Sequence, residues 1–100
     1  MNLYLDDWRT PPTGENWRSA DNYPEFIALL DKYAKCLELV DLDYDLGYDS
    51  LYSGLHVLKY MKKYGIKCSH INVHSSHPTG RETMLMYASI NFPDAEVTGR

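Results

Sequence analysis

Three short apolar runs dominate the chain: Asn2 to Leu5, Cys36 to Leu42 and Lys67 to Val73. Segments with helical spacing of apolar residues separate the last two and follow the third. Apolar runs that alternate with helical patterns imply a parallel sheet joined by right-handed crossovers. Each run also stops at a polar cluster: Asp6-Asp7, then Asp43-Tyr44-Asp45-Leu46-Gly47, then His74-Ser75-Ser76-His77. If the runs are neighbouring parallel strands, all three clusters meet at one edge of the sheet, where open α/β sheets place their sites.

The expected fold class is therefore α/β, a small open parallel sheet of about four strands with helices on both faces. Asn2 to Leu5 reads as the first strand. Trp8 to Asn16 holds Pro11, Pro12 and Gly14 and reads as a loop. Trp17 to Ser19 is a second extended piece. Asn22-Tyr23-Pro24-Glu25 opens a helix, with Asn22 as cap, Pro24 in the first turn and Glu25 completing a capping box. Phe26, Ile27, Leu30 and Tyr33 supply its apolar face. Cys36 to Leu42 reads as the third strand, apolar except for Glu38 before Asp41.

Ser50 or Asp49 is placed to cap a second helix carrying Leu51, Leu55, Leu58 and Met61 on one side. Lys59, Lys62 and Lys63 suit its C-terminal end, and Gly65 stops it. Lys67 to Val73 reads as the fourth strand. Thr79-Gly80-Arg81-Glu82 has the form of a capping box for a third helix, with Met84, Tyr87, Ala88 and Asn91 along one side. Pro93 ends it, and the tail from Asp94 reads as an edge segment or as disordered.

One hundred residues make one domain, residues 1–100, large enough for a modest core. A net charge of -4 argues against a general DNA-binding or membrane-binding surface. It leaves room for one nucleotide or one RNA end in a local pocket. The nine tyrosines read as half-buried packing residues with wet hydroxyls. Cys36 and Cys68 lack zinc-ligand spacing and read as buried thiols in a reducing compartment, which makes the expected location cytoplasmic. The N-terminus has no signal-peptide pattern, and no apolar run approaches the ~20 residues of a membrane helix.

The polar clusters carry the chemistry. Two adjacent carboxylates at a strand end repel, and a cation offsets them. Mg2+, a hard ion satisfied by one or two carboxylates and water, is the expected cofactor at Asp6 and Asp7. The alternative is a solvated turn. Asp43, at the mouth of the third strand, can ligate the metal, act as nucleophile or serve as general acid or base. Asp41, inside the strand, is expected to be buried or paired. Asp45 lies in the loop, within reach of a ligand. Asx-turn chemistry around Gly47 is assigned to Asp49.

His74 ends the fourth strand and is a candidate general acid or base. Ser75 and Ser76 can donate to phosphate oxygens. His77 is held extended before Pro78. Thr79 and Gly80 open a helix whose free N–H groups suit an anion, and Arg81 in its first turn opposes the dipole, a better choice for gripping phosphate than for stability. Arg9 neutralises the acidic pair or contacts the substrate. His56 and His70 read as structural.

The blocks Leu5 to Pro11, Leu42 to Gly47 and Val73 to Arg81 together resemble the cyclic-phosphate processing receiver domains, over roughly residues 2 to 92. The resemblance implies a flavodoxin-like, receiver-like fold. It equates Asp6 and Asp7 with the family's acidic pair and Asp43 with its phosphoacceptor. The family's middle block reads Asp-His-Asp-Leu-Gly, and Tyr44 stands here for that His. His77 stands for the family's Asn and could supply the missing imidazole. The Pro-rich loop replaces the receiver's first helix, and the last strand with its Lys is expected to be absent.

Two functions follow as expectations. The first is a Mg2+-dependent phosphoesterase, a hydrolase opening the cyclic phosphate of a 2',3'-cyclic nucleotide or RNA end. Asp43, His74 and His77 would be catalytic, Asp6, Asp7 and Asp43 would hold the metal, and Arg9, Asp45, Ser75, Ser76, Gly80 and Arg81 would bind substrate. The alternative is a non-catalytic signalling or binding module that holds a phosphorylated or cyclic nucleotide, or accepts phosphate on Asp43, and acts on a partner protein.

Overall fold

The computed structural model describes residues 1–47 and 50–99. Among these residues five strands form one sheet: β1 (Asn2–Leu5), β2 (Trp17–Ala20), β3 (Leu39–Leu42), β4 (His70–Val73) and β5 (Glu96–Gly99). Three helices join them: α1 (Tyr23–Tyr33), α2 (Gly54–Tyr64) and α3 (Pro78–Asn91). The spatial order is β2-β1-β3-β4-β5, and every pairing is parallel. The sheet is therefore of the receiver-like, flavodoxin-like kind.

The expected four strands are five. Glu96–Gly99 pairs along β4, with His70 opposite Glu96 and Val73 opposite Gly99. This edge strand has a single apolar residue, Val97, half-buried, so no apolar run marks it. The two long runs are also trimmed, to Leu39–Leu42 and His70–Val73. Cys36 is exposed rather than buried, because it precedes β3 instead of opening it.

Register puts the strand apolar residues in rows. Leu3, Val40 and Ile71 are successive partners, as are Leu5, Leu42 and Val73. All six have no exposed surface. They join Phe26 and Leu30 of α1, Val57, Leu58 and Met61 of α2, and Met84 and Ala88 of α3 in one core. Burying a large apolar side chain of this kind stabilises a fold by about 1.5–3 kcal/mol.

The crossovers β2-α1-β3, β3-α2-β4 and β4-α3-β5 all advance the same way across the sheet. Right-handed connections then lay the three helices side by side on one face, and α2 packs against both α1 and α3. The expectation of helices on both faces is thus corrected. The other face carries the alternate residues Tyr4, Asp41, Asn72 and Thr98, also register partners. They meet their needs laterally: Thr98 Oγ1 donates to Asn72 Oδ1 at 2.7 Å, and Asn72 Nδ2 donates to Asp41 Oδ1 at 2.9 Å. No helix lies between β1 and β2, as the Pro-rich segment implied.

The helix ends follow local chemistry. Asn22 caps α1, its side chain accepting from Glu25 N–H at 3.0 Å. Gly65 closes α2 with a left-handed φ of 67°. Helix α2 starts later than expected, at Gly54 behind Ser53, where Ser53 N–H donates to His56 Nδ1 at 2.9 Å. His56 is thus a capping residue, Leu51 lies outside the helix and is 88% exposed, and Asp49 lies outside the described residues. Helix α3 begins at Pro78, so the expected box at Thr79 gives way to a cap by His77, whose Nδ1 accepts from Gly80 N–H at 2.9 Å.

Candidate active site at the strand ends

The C-terminal ends of β1, β3 and β4, three adjacent strands, carry Asp6, Asp43 and His74 into one cluster. All three are buried. Each offers a ligand atom, and these atoms lie within 4.8 Å of one another. The direct cause is the sheet: parallel strands in register end together, and the next residue of each enters the same space.

Asp6 is held by the chain that follows it. Its Oδ1 accepts from Trp8 N–H at 2.8 Å and from Arg9 N–H at 3.0 Å, and its Oδ2 meets the Arg9 guanidinium at 3.0 Å. Burial pushes the Asp6 carboxyl up, but these donors and His74 outweigh it and hold the carboxyl below the ordinary aspartate range. Arg9 also reaches Asp43 Oδ2 at 3.7 Å, so one cation serves two carboxylates. The acid groups in turn hold the guanidinium more firmly in its charged form, with the Asp6 hydrogen bond foremost.

Asp43 behaves oppositely. Burial, then the charge of Asp6, pushes its carboxyl above the ordinary range, against the pull of a Ser75 hydrogen bond and of His74 and Arg9. Two neighbouring carboxylates with opposed shifts are a recurrent arrangement for acid-base work.

His74 lies between two carboxylates. Its Nδ1 bonds Asp41 Oδ1 and its Nε2 meets Asp6 Oδ2 at 3.0 Å. Its ring also stacks on Tyr4, centroids 4.6 Å apart and planes within 3°. Asp41 thus fixes the ring from behind. Sequence reasoning noticed that Asp41 had to be paired but gave it no role. The usable signal was its strand position, two residues before Asp43 and opposite Asn72 and Tyr4.

The remaining residues sort by cavity. An open cavity of about 410 Å3 is lined by Asp6, Asp7, Arg9, Asp43, Asp45, Ser76, His77 and their neighbours. Asp7 is exposed on this rim, where its carboxylate approaches Gly47, and it stands apart from the three-residue cluster. Asp45 closes an Asx turn, accepting from Gly47 N–H at 3.0 Å. Ser75 is buried, its Oγ accepting from His77 N–H at 3.1 Å. Ser76 is exposed beside it.

Gly80 and Arg81 do not line this cavity. A Cβ on Gly80 would lie 2.3 Å from Cγ of Tyr44, so the ring occupies the space a side chain would take. Arg81 turns toward the edge strand, with its Nη2 2.6 Å from where a Cβ on Gly99 would stand. Gly54 plays a similar part on the other side: a Cβ there would meet the Asp43 carbonyl at 2.1 Å. Its absence lets α2 start directly against the acidic strand end.

The sequence profile of the cyclic-phosphate processing receiver domain matches residues 1–89. The chain belongs to that family. Within this receiver domain the described fold accounts for the match, since residues 1–89 hold β1 through β4 and most of α3. No curated protein and no solved structure matches the chain. No helix among the described residues is long and apolar enough to cross a membrane.

The cluster fits a divalent cation. Two carboxylates and an imidazole are hard to borderline donors, and the histidine has a carboxylate on its other nitrogen, as metal-binding histidines commonly do. Asp6 Oδ2 is shared by Arg9 and His74, so an ion entering here takes the place of these hydrogen-bonding partners.

Proposed function

We propose that this receiver domain is a metal-dependent phosphoesterase that opens a 2',3'-cyclic phosphate of a nucleotide or RNA end, with Mg2+ as its ion. The observation that supports it is the convergence of Asp6, Asp43 and His74 within one buried cluster at three strand ends, in a chain of this family. Asp6 and Asp43 would hold the ion, which supplies charge stabilisation for the phosphate and a more acidic water.

The chain's own groups do the rest. Water adds to phosphorus, one of the two P–O bonds to ribose breaks, and the leaving oxygen takes a proton, leaving a phosphomonoester. His74, fixed by Asp41 and beside the two carboxylates, is the group placed to carry that proton. Arg9 and Ser76 face the cavity and can take phosphate oxygens as they form. His77 has its Nδ1 committed to Gly80 N–H, so in the neutral ring Nε2 is a donor for the same anion.

The competing reading, a module that binds its ligand without turnover, draws on Arg9, which already ion-pairs with both carboxylates. The test is the rate of 2',3'-cyclic AMP hydrolysis with Mg2+ in wild type and Asp43→Asn. Loss of turnover with an intact fold supports the esterase. Equal rates overturn it.

A further inference from the structure

Trp8 is 86% exposed, although it lies two residues from the buried Asp6. Its backbone is not loose: Trp8 N–H donates to the buried Asp6 carboxylate at 2.8 Å, and Arg9 N–H donates to the same oxygen. The indole is therefore carried on a pinned residue, one position before the guanidinium that bridges Asp6 and Asp43. A flat ring stacked on the exposed indole would remove both faces from water, which favours binding.

Trp8 lines two cavities. One is the acid-cluster cavity described above. The other, of about 380 Å3, has Pro11, Ser19, Asp21 and Glu25 among its walls and shares Asp6, Asp7, Trp8 and Arg9 with the first. Both volumes fall within the ~300–1,000 Å3 of small-molecule sites. From Arg9, a ligand can thus extend past the indole into the second cavity. That cavity's outer wall is unusual for a phosphate site, since Asp21 and Glu25 would repel a second anion. A neutral group with hydrogen-bond donors suits it better, because carboxylates only accept.

We propose that Trp8 is the stacking platform for the base of a nucleoside phosphate, with the base edge against Asp21 and Glu25 and the phosphate at Arg9. This rests on the phosphate-binding reading of the site and names its ligand more closely. Guanine presents N1–H and N2–H2 donors side by side, which two acceptors can take, whereas uracil presents one donor between two carbonyls. A guanine nucleotide is therefore preferred over a uracil nucleotide. Length is restricted as well: net charge -4 and the acidic rim oppose a long polyanion, so the ligand is a mononucleotide or a strand end.

The experiment is calorimetric titration of the whole chain, with Mg2+ present, by guanosine 3'-monophosphate, uridine 3'-monophosphate and glycerol phosphate. These carry the same phosphate charge and differ in the base. The expected result is binding of the guanosine ligand at least about tenfold tighter than glycerol phosphate, with uridine between. Trp8→Ala should abolish that advantage and leave glycerol phosphate unchanged, while Trp8→Phe should retain part of it. Equal affinity for all three in wild type would overturn the platform and leave the phosphate site standing. Failure of all three to bind would overturn the phosphate-binding reading, and the platform with it. Tight guanosine binding that survives Trp8→Ala would place the base elsewhere and also overturn the proposal.

Discussion

Asp41 Oδ1 bonds His74 Nδ1 inside the sheet edge, and Asn72 Nδ2 donates to the same oxygen at 2.9 Å. Asp41 therefore orients the imidazole without itself lining the cavity. Asp41→Ala would leave both donors buried without their acceptor, at a cost of about 1–3 kcal/mol each where no water replaces it. Asp41→Asn keeps an acceptor and removes the charge. The expected outcome is a clear loss of stability for Asp41→Ala in chemical denaturation, and a smaller one for Asp41→Asn with turnover still reduced. Unchanged turnover in Asp41→Asn would separate the imidazole's orientation from the chemistry.

Tyr44 and Gly80 form a matched pair. Gly80→Ala forces a Cβ into the Tyr44 ring, 2.3 Å from Cγ, and overpacking of this order costs roughly 1–3 kcal/mol. Gly80→Ala should lower the melting temperature, and Tyr44→Ala in the same chain should recover part of the loss. Additive effects of the two changes would show that the ring does not sit where the structure has it.

The two site carboxylates predict opposite pH dependences of stability. Asp6 has a lowered carboxyl affinity for protons. It binds its proton more weakly folded than unfolded, so its contribution is present above the ordinary value of 3.8 and is lost as pH falls through the lower folded value. Asp43 is raised. Its contribution is present below 3.8 and is lost as pH rises through the raised folded value. Without added metal, Asp43→Asn should therefore melt higher than wild type at neutral pH, and the gap should close at acid pH. Asp6→Asn should melt lower at neutral pH and lose less on acidification. Thermal melts across pH, in EDTA, decide both.

Cation binding should discriminate between the acidic residues. Asp6→Asn and Asp43→Asn remove members of the buried cluster, whereas Asp7 stands on the exposed rim. Titration with Mn2+, followed by its paramagnetic signal, should show affinity lost in the first two and largely kept in Asp7→Asn. Loss confined to Asp7→Asn would move the ion to the rim.

Much of the architecture was legible because hydrophobic period and end signals agreed. Asn22, Gly65 and the alternation of apolar runs with helical spacing placed α1, the end of α2 and three of the strands. β5 was legible only as one of two alternatives for the tail, an edge segment or disorder, because an edge strand reading Glu96-Val97-Thr98-Gly99 buries too little to leave an apolar pattern. The one-sided packing of the helices was hidden for another reason: it follows from strand order, which the sequence does not state. Asp6, Asp43 and His74 could be read from their places at strand ends. Arg81 was read as a phosphate grip because its position opposes the helix dipole, and the structure places its side chain toward Gly99. His77 was read only as a candidate site residue, and its capping role was not read, because imidazole is an uncommon cap.

The most direct test of the account is phosphorus NMR of 2',3'-cyclic AMP with the protein and Mg2+, beside a sample with excess EDTA. The account predicts that the cyclic phosphate signal is replaced by a phosphomonoester signal in the Mg2+ sample and persists in EDTA. Its chemical shift and proton couplings then show which ribose oxygen leaves. An unchanged cyclic phosphate signal after prolonged incubation, in a sample where calorimetry shows the nucleotide bound, would contradict the esterase and leave a binding module in its place.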